Sequence, residues 1–230
     1  MAATRRALAL ALAAACTALI AGAAMAHDVA PSDAAFVKQT AGPAFIPFVY
    51  LGAKHMVTGI DHVLFLVGVV FFLFRLRDVV LYVSMFAIGH SITLLAGVLL
   101  GVTVNAHIVD AVIGASVIYK GIENLGGFRR LGVKIDSRLA VLAFGLAHGL
   151  GLATKLLVLS PARDGLLVNL IGFNVGVEIG QILVLALVVA LLNLWRHAPS
   201  FKSGAVVANV ALVAAGIALT AYQIKEYVGS

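Results

Sequence analysis

The sequence predicts an all-α, polytopic membrane protein with six transmembrane helices after a cleavable signal peptide. Two observations carry this. The 230 residues are 62% hydrophobic and 11% charged, with a mean hydropathy of +1.09, whereas a soluble domain averages about 45–50% apolar and about 25% charged residues. An apolar surplus of that size needs lipid to cover it. The second observation is distribution: the apolar residues form long runs, each sufficient for the roughly 20 residues that a bilayer-crossing helix requires. Barrel strands would be about 10 residues long and alternate in polarity, so run length decides for helices. The formal net charge of +6 does not point to nucleic acid, because Lys and Arg fall in short clusters between the apolar runs, as topology signals do.

Residues 1–26 read as the signal peptide. Arg5 and Arg6 make a basic start, Ala7 to Ala24 is an Ala-rich apolar run, and Ala24-Met25-Ala26 fits a small-x-small cleavage site. The other reading is an uncleaved first helix. The single cysteine, Cys16, lies in this segment, and Ala13-Ala14-Ala15 before it lacks the leucine of lipoprotein processing. A mature chain starting at His27 then has no disulfide and no thiolate, so any metal it handles meets nitrogen and oxygen donors. The amino group and ring of His27 could together chelate a metal at the mouth of the protein.

Residues 27–47, with Pro31 and Ser32-Asp33, read as a short exposed periplasmic arm, and 48–224 as the six-helix domain. The spans fall near 48–74, 78–101, 104–123, 138–159, 166–194 and 203–224. Orientation follows from loop charge. A cleaved leader leaves the mature N-terminus outside the cytoplasm, so Arg75 and Arg77, then Lys120 to Arg138, then Arg196 and Lys202 fall inside. Fewer basic residues (Lys38, Lys54, Lys155, Arg163, Lys225) fall outside, as the positive-inside rule requires. The expected location is the bacterial inner membrane with both termini periplasmic. Ile88-Gly89-His90 and Ala147-His148-Gly149 form a faint echo between the two halves, of the kind inverted repeats leave in transporters.

Ionisable groups inside a membrane span are costly and mark function by default. Here they are His55, Asp61 and His62 on the first span, His90 on the second, His107, Asp110 and Glu123 on the third, His148 on the fourth, and Glu178 with Asn174 and Gln181 on the fifth. His55 and His62 are seven apart and share a helix face. Asp61 points elsewhere on an ideal helix; either Gly59 loosens the turn and lets it join, or it orients an imidazole from behind. His107 and Asp110 are i, i+3 neighbours. The topology puts His55, His62, His107 and Asp110 in the outer half as a capture cluster, with His90, His148 and Glu178 deeper. Imidazole suits nickel, cobalt, copper and zinc, whereas magnesium and calcium prefer all-oxygen sites. Ligands strung over several helices suit a cargo that must bind and leave, unlike a closed structural cage. Lys54, Lys120 and Lys155 read as snorkelling helix-end residues. Ser91, Thr93, Ser116 and Thr154 read as interhelical hydrogen bonders, and Gly145/Gly149 as a close-packing pair that brings His148 near a neighbouring backbone.

At His55-Met56-Val57-Thr58-Gly59-Ile60-Asp61-His62 the sequence resembles the HupE/UreJ family, whose first helix carries H-x-x-x-G-x-D-H. The resemblance continues through Phe86-Ala87-Ile88-Gly89-His90-Ser91, Asn105 to Asp110, Ala147-His148-Gly149 and Phe173 to Glu178, covering most of residues 45–222. It implies an accessory permease of hydrogenase or urease maturation, not an enzyme, with Ni2+ or Co2+ as transported cargo and no organic cofactor. By the resemblance the metal-contacting residues are His55, Asp61, His62, His90, His107, Asp110 and His148; the membrane position of Glu178 adds it to the set. Met56 stands where the nickel branch of the family typically has proline. The expected partners are a divalent transition-metal ion and the lipid bilayer, and no nucleic acid. Three other readings compete: a rhomboid-like serine protease built on Ser116 and His148, a haem-binding electron carrier using His90 and His148, and a membrane metal sensor that binds without translocating. No nucleotide-binding motif is present, so a secondary permease is simpler than an ATP-driven pump.

Overall fold

A computed structural model describes residues 31–159 and 161–229, and the described residues form helices with no strand among them. The expected leader, its cleavage point and His27 lie outside the described residues. The helices are α1 Pro31–Gln39, α2 Phe45–Thr58, α3 Ile60–Val70, α4 Leu76–Leu100, α5 Ala106–Asn124, α6 Gly127–Arg130, α7 Ser137–Val158, α8 Leu166–Arg196 and α9 Phe201–Gly229. Four of them, α4, α7, α8 and α9, are long and apolar enough to cross a bilayer, and α2 with α3 makes a fifth as one broken span. The helix α5 falls outside that set, with Asp110, Lys120 and Glu123 along its 19 residues. Outward faces such as Ile88, Ile92 and Leu99 on α4 and Ile182, Leu183 and Leu187 on α8 are exposed and apolar, a surface suited to lipid.

The expected continuous first helix is broken. Gly59 takes φ −72° and ψ 91°, and the chain turns by 66° between α2 and α3. A β-like ψ at one residue ends the α-helical hydrogen-bond run, and the lower helix propensity of glycine favours the break here. The N–H of Gly59 still donates to His55 O at 2.8 Å. The arm also differs from expectation: part of it is the helix α1, with Val37 buried, Phe36 against Phe48 at 6.0 Å and Asp33 paired with Lys54 at 2.8 Å.

Three helix pairs build the body, and small residues set each of them. On α4 and α7, a Cβ at Gly145 or Gly149 would collide with Phe86 O or His90 O, so the two backbones touch where the Gly/His echo lies. Thr93 Oγ1 donates across this seam to Leu146 O at 2.7 Å. Phe86 faces Gly145 and Gly97 faces Ala153, so α4 and α7 run in the same direction. On α2 and α8, a Cβ at Gly176 would overlap Val49 O and lie 2.8 Å from Ala53 N, while Gly180 meets Ala53; this pair is also parallel. On α5 and α9, Gly114 meets Thr220 and Gly121 meets Val213, which makes the pair antiparallel. With no hydrophobic drive between helices in lipid, such close backbone approach gives the dispersion contact that holds them. The short helix α3 sits among the pairs and contacts α4, α5, α8 and α9. At its far end Arg196 Nη2 on α8 donates to Val70 O and Phe71 O at 2.9 and 2.7 Å, satisfying carbonyls that a helix C-terminus leaves open.

Candidate metal centre

The break at Gly59 is what builds the site. Seven residues along a straight helix would separate His55 and His62 by about 10 Å of rise. The bend instead brings their rings to 5.1 Å between centroids. His62, at the start of α3, then acts as the hub: its ring lies 4.8 Å from that of His148 on α7 and 5.9 Å from that of His90 on α4. His62, His90 and His148 are buried, each with 4% exposure or less. Phe65 and Phe86 close the inner side against His148 at 5.4 and 5.1 Å.

Hydrogen bonding fixes which nitrogens are available. His62 Nδ1 lies 3.0 Å from Asp61 Oδ1. A carboxylate only accepts, so Nδ1 carries a proton, and Nε2 is the nitrogen left without a hydrogen-bond partner. His148 Nδ1 likewise donates to Phe144 O at 2.7 Å. The Nε2 atoms of His55, His62 and His148 and both ring nitrogens of His90 are buried with no hydrogen-bond partner. Unpaired buried nitrogens cost roughly 1–3 kcal/mol each, and their gathering in one place is unusual for a purely structural core. Two imidazoles on one tetrahedral ion, with metal–nitrogen bonds of about 2.0–2.1 Å and a ring radius of about 1.1 Å, have centroids about 5 Å apart. The His55–His62 and His62–His148 spacings of 5.1 and 4.8 Å lie near that distance, and His62–His90 at 5.9 Å is longer. Among the described residues no three His, Cys, Asp or Glu side chains are arranged as a ready metal cage, so ring rotation would have to accompany binding.

A cavity of about 20 Å³ lies beside the cluster, lined by His55, Gly59, Asp61, His62, His148, Asp110 and Lys155 among others. That volume holds one water-sized particle and does not admit a porphyrin. Asp61 thus touches His62, Asp110 joins the cavity from α5, and Lys155 Nζ lies 2.9 and 3.1 Å from the two Asp110 oxygens. Two expected site residues are elsewhere. His107 faces α9, with Nδ1 2.9 Å from Gln223 Oε1, beside an apolar depression lined by Ile108, Ile224 and Tyr227. Glu178 is exposed on α8 and does not line the cavity. The expected two tiers of histidines are therefore one group of four.

The lysines depart from the snorkelling expectation. Lys54 pairs with Asp33, Lys155 with Asp110, and Lys120, 4% exposed, with Glu123. Glu123 also accepts from Tyr119 and Ser137. An aromatic run of Phe65, Phe144 and Tyr119, at 5.7 and 5.3 Å, separates this inner group from the histidines. Thr93 bonds across helices as expected, but Ser116 and Thr154 bond carbonyls of their own helices, Ile113 O and Leu150 O. Ser116 Oγ and His148 are thus each engaged with backbone, and the Ser–His bond a protease would need is not made.

Broken helix, buried imidazoles and apolar exterior define a polytopic helical membrane protein with a cluster of buried histidines. The chain matches the family described as "HupE / UreJ protein" over residues 31–229. It belongs to that family, whose name marks a membrane accessory protein of the metal-transporter type. No curated protein and no solved structure matches it.

Proposed function

We propose that this chain is a secondary permease that carries a divalent transition-metal ion, nickel or cobalt, into the cytoplasm for metalloenzyme maturation. The observation that supports it most is the convergence of His55, His62 and His148 on one small cavity, with His90 packed against His62 behind them and ring nitrogens of all four buried without hydrogen-bond partners. In this reading the four imidazoles are transient ligands and Asp61 holds His62 in its metal-binding tautomer. Asp110 presents the first carboxylate to an arriving ion. The bend at Gly59 draws two of the ligands, His55 and His62, from two short helices, the arrangement discontinuous helices give transporters at midmembrane.

The same proposal makes the protein an inner-membrane one with six spans and periplasmic termini. The helix directions support it: α4 with α7 and α2 with α8 parallel, α5 with α9 antiparallel, as six alternating crossings require once α5 counts as a span. An inside-negative potential drives a divalent cation inward by about 4.6 kcal/mol per 100 mV, so no nucleotide hydrolysis is needed. Cells expressing the protein should accumulate nickel or cobalt in an uptake assay that also offers Cu, Zn and Mn. Unchanged accumulation of every metal would refute the transport reading and leave a non-transporting metal-binding protein.

A further inference from the structure

The helices α5 and α7 meet through Gly151 against Val109 and Ile113 as well as through the Lys155–Asp110 pair. Its position is informative. Lys155 lies two turns beyond His148 on the same face of α7, about 10 Å along the axis, and both line the same cavity. Its ammonium sits between both oxygens of an Asp110 carboxylate that is 4% exposed, while the lysine side chain itself keeps 20% exposure near the end of its helix. A long flexible stem with one end in the cavity and a route to the surface lets the charged head move without unfolding the helix.

We propose that Lys155 is a tethered cation that plugs the histidine site until a divalent ion displaces it. This rests on the permease reading above. The cavity holds two carboxylates, Asp61 and Asp110, and one ammonium. A divalent ion that enters while Lys155 stays would leave a surplus positive charge where water is scarce and charges interact strongly. When the ammonium swings outward, the divalent ion balances both carboxylates. The ammonium and a divalent ion therefore compete for the same carboxylates, and binding of one requires release of the other.

The test titrates Ni2+ and Co2+ calorimetrically into the full chain in detergent, as wild type, Lys155→Met, Lys155→Arg and His62→Ala. Lys155→Met should lower the half-saturating metal concentration by roughly tenfold or more, since hydrogen bonds between ionised partners are the strong ones the metal no longer has to break. Lys155→Arg, which keeps the cation, should stay near wild type. Independently, metal should raise acylation of Lys155 by acetic anhydride in the wild-type protein, read by mass spectrometry. A folded Lys155→Met that binds no tighter than wild type, or Lys155 acylation unchanged by saturating metal, overturns the plug. His62→Ala separates the two claims: wild-type binding by that variant defeats the histidine site, whatever Lys155 does. Lost binding in His62→Ala beside unchanged Lys155 behaviour defeats the plug alone.

Discussion

Asp61→Asn isolates the contribution of the carboxylate behind His62. The substitution keeps the shape of the side chain and leaves an oxygen able to accept the Nδ1–H bond now 3.0 Å long, so the tautomer of His62 survives and only the negative charge is lost. A carboxylate partner makes the opposite nitrogen a better donor, and removing such partners costs roughly 10–100-fold in metal affinity, or about 1.4–2.7 kcal/mol. Asp61→Ala also removes the orienting bond and should lie at the upper end of that range. Calorimetric titration of Co2+ into the purified variants reads the difference, with circular dichroism showing that each is folded. Wild-type affinity in Asp61→Asn would refute the positioning role. Complete loss of binding, equal to that in His62→Ala, would also refute it and make Asp61 a direct ligand.

Gly149→Ala should destabilise the α4–α7 seam by about 1–3 kcal/mol, the usual cost of overpacking, because the new methyl would overlap His90 O and Thr93 Oγ1; thermal unfolding in detergent measures it. His107→Ala should leave metal affinity within about twofold and cost about 1 kcal/mol of stability through the lost bond to Gln223, so a loss like that of His62→Ala would contradict the geometry. Arg196→Ala should lower the unfolding midpoint by removing two charge-assisted bonds to Val70 O and Phe71 O, worth roughly 1.5–3 kcal/mol each. Ser116→Ala should keep full metal uptake, and loss of a proteolytic activity in that variant would revive the protease reading.

Much of the fold was legible because the membrane simplifies it. Run length gave helices, and the glycine contacts add which of them run parallel and which antiparallel. Gly145 and Gly149 were readable as a close seam because only small side chains permit it. The centre was less legible, for a specific reason. Spacing arguments assume a continuous helix, and on one His55 and His62 stack two turns apart, with His90 and His148 at another depth. The break at Gly59 cancels that separation, yet a glycine in an apolar run is compatible with either outcome. The partners of His107 and Lys155 are Gln223 and Asp110, 116 and 45 residues away, and no periodicity encodes such pairings. A lysine near a helix end reads as solvated until the opposing carboxylate is seen.

The central claim is that the four-histidine site serves passage of a metal ion. Its most direct test is flux into liposomes bearing purified protein, with a metal-responsive dye inside and an inside-negative potential. Luminal nickel or cobalt should rise with the wild-type protein and stay at the protein-free level with His62→Ala. Equal flux through both proteins, or no flux of any divalent metal through the wild type, would contradict the account.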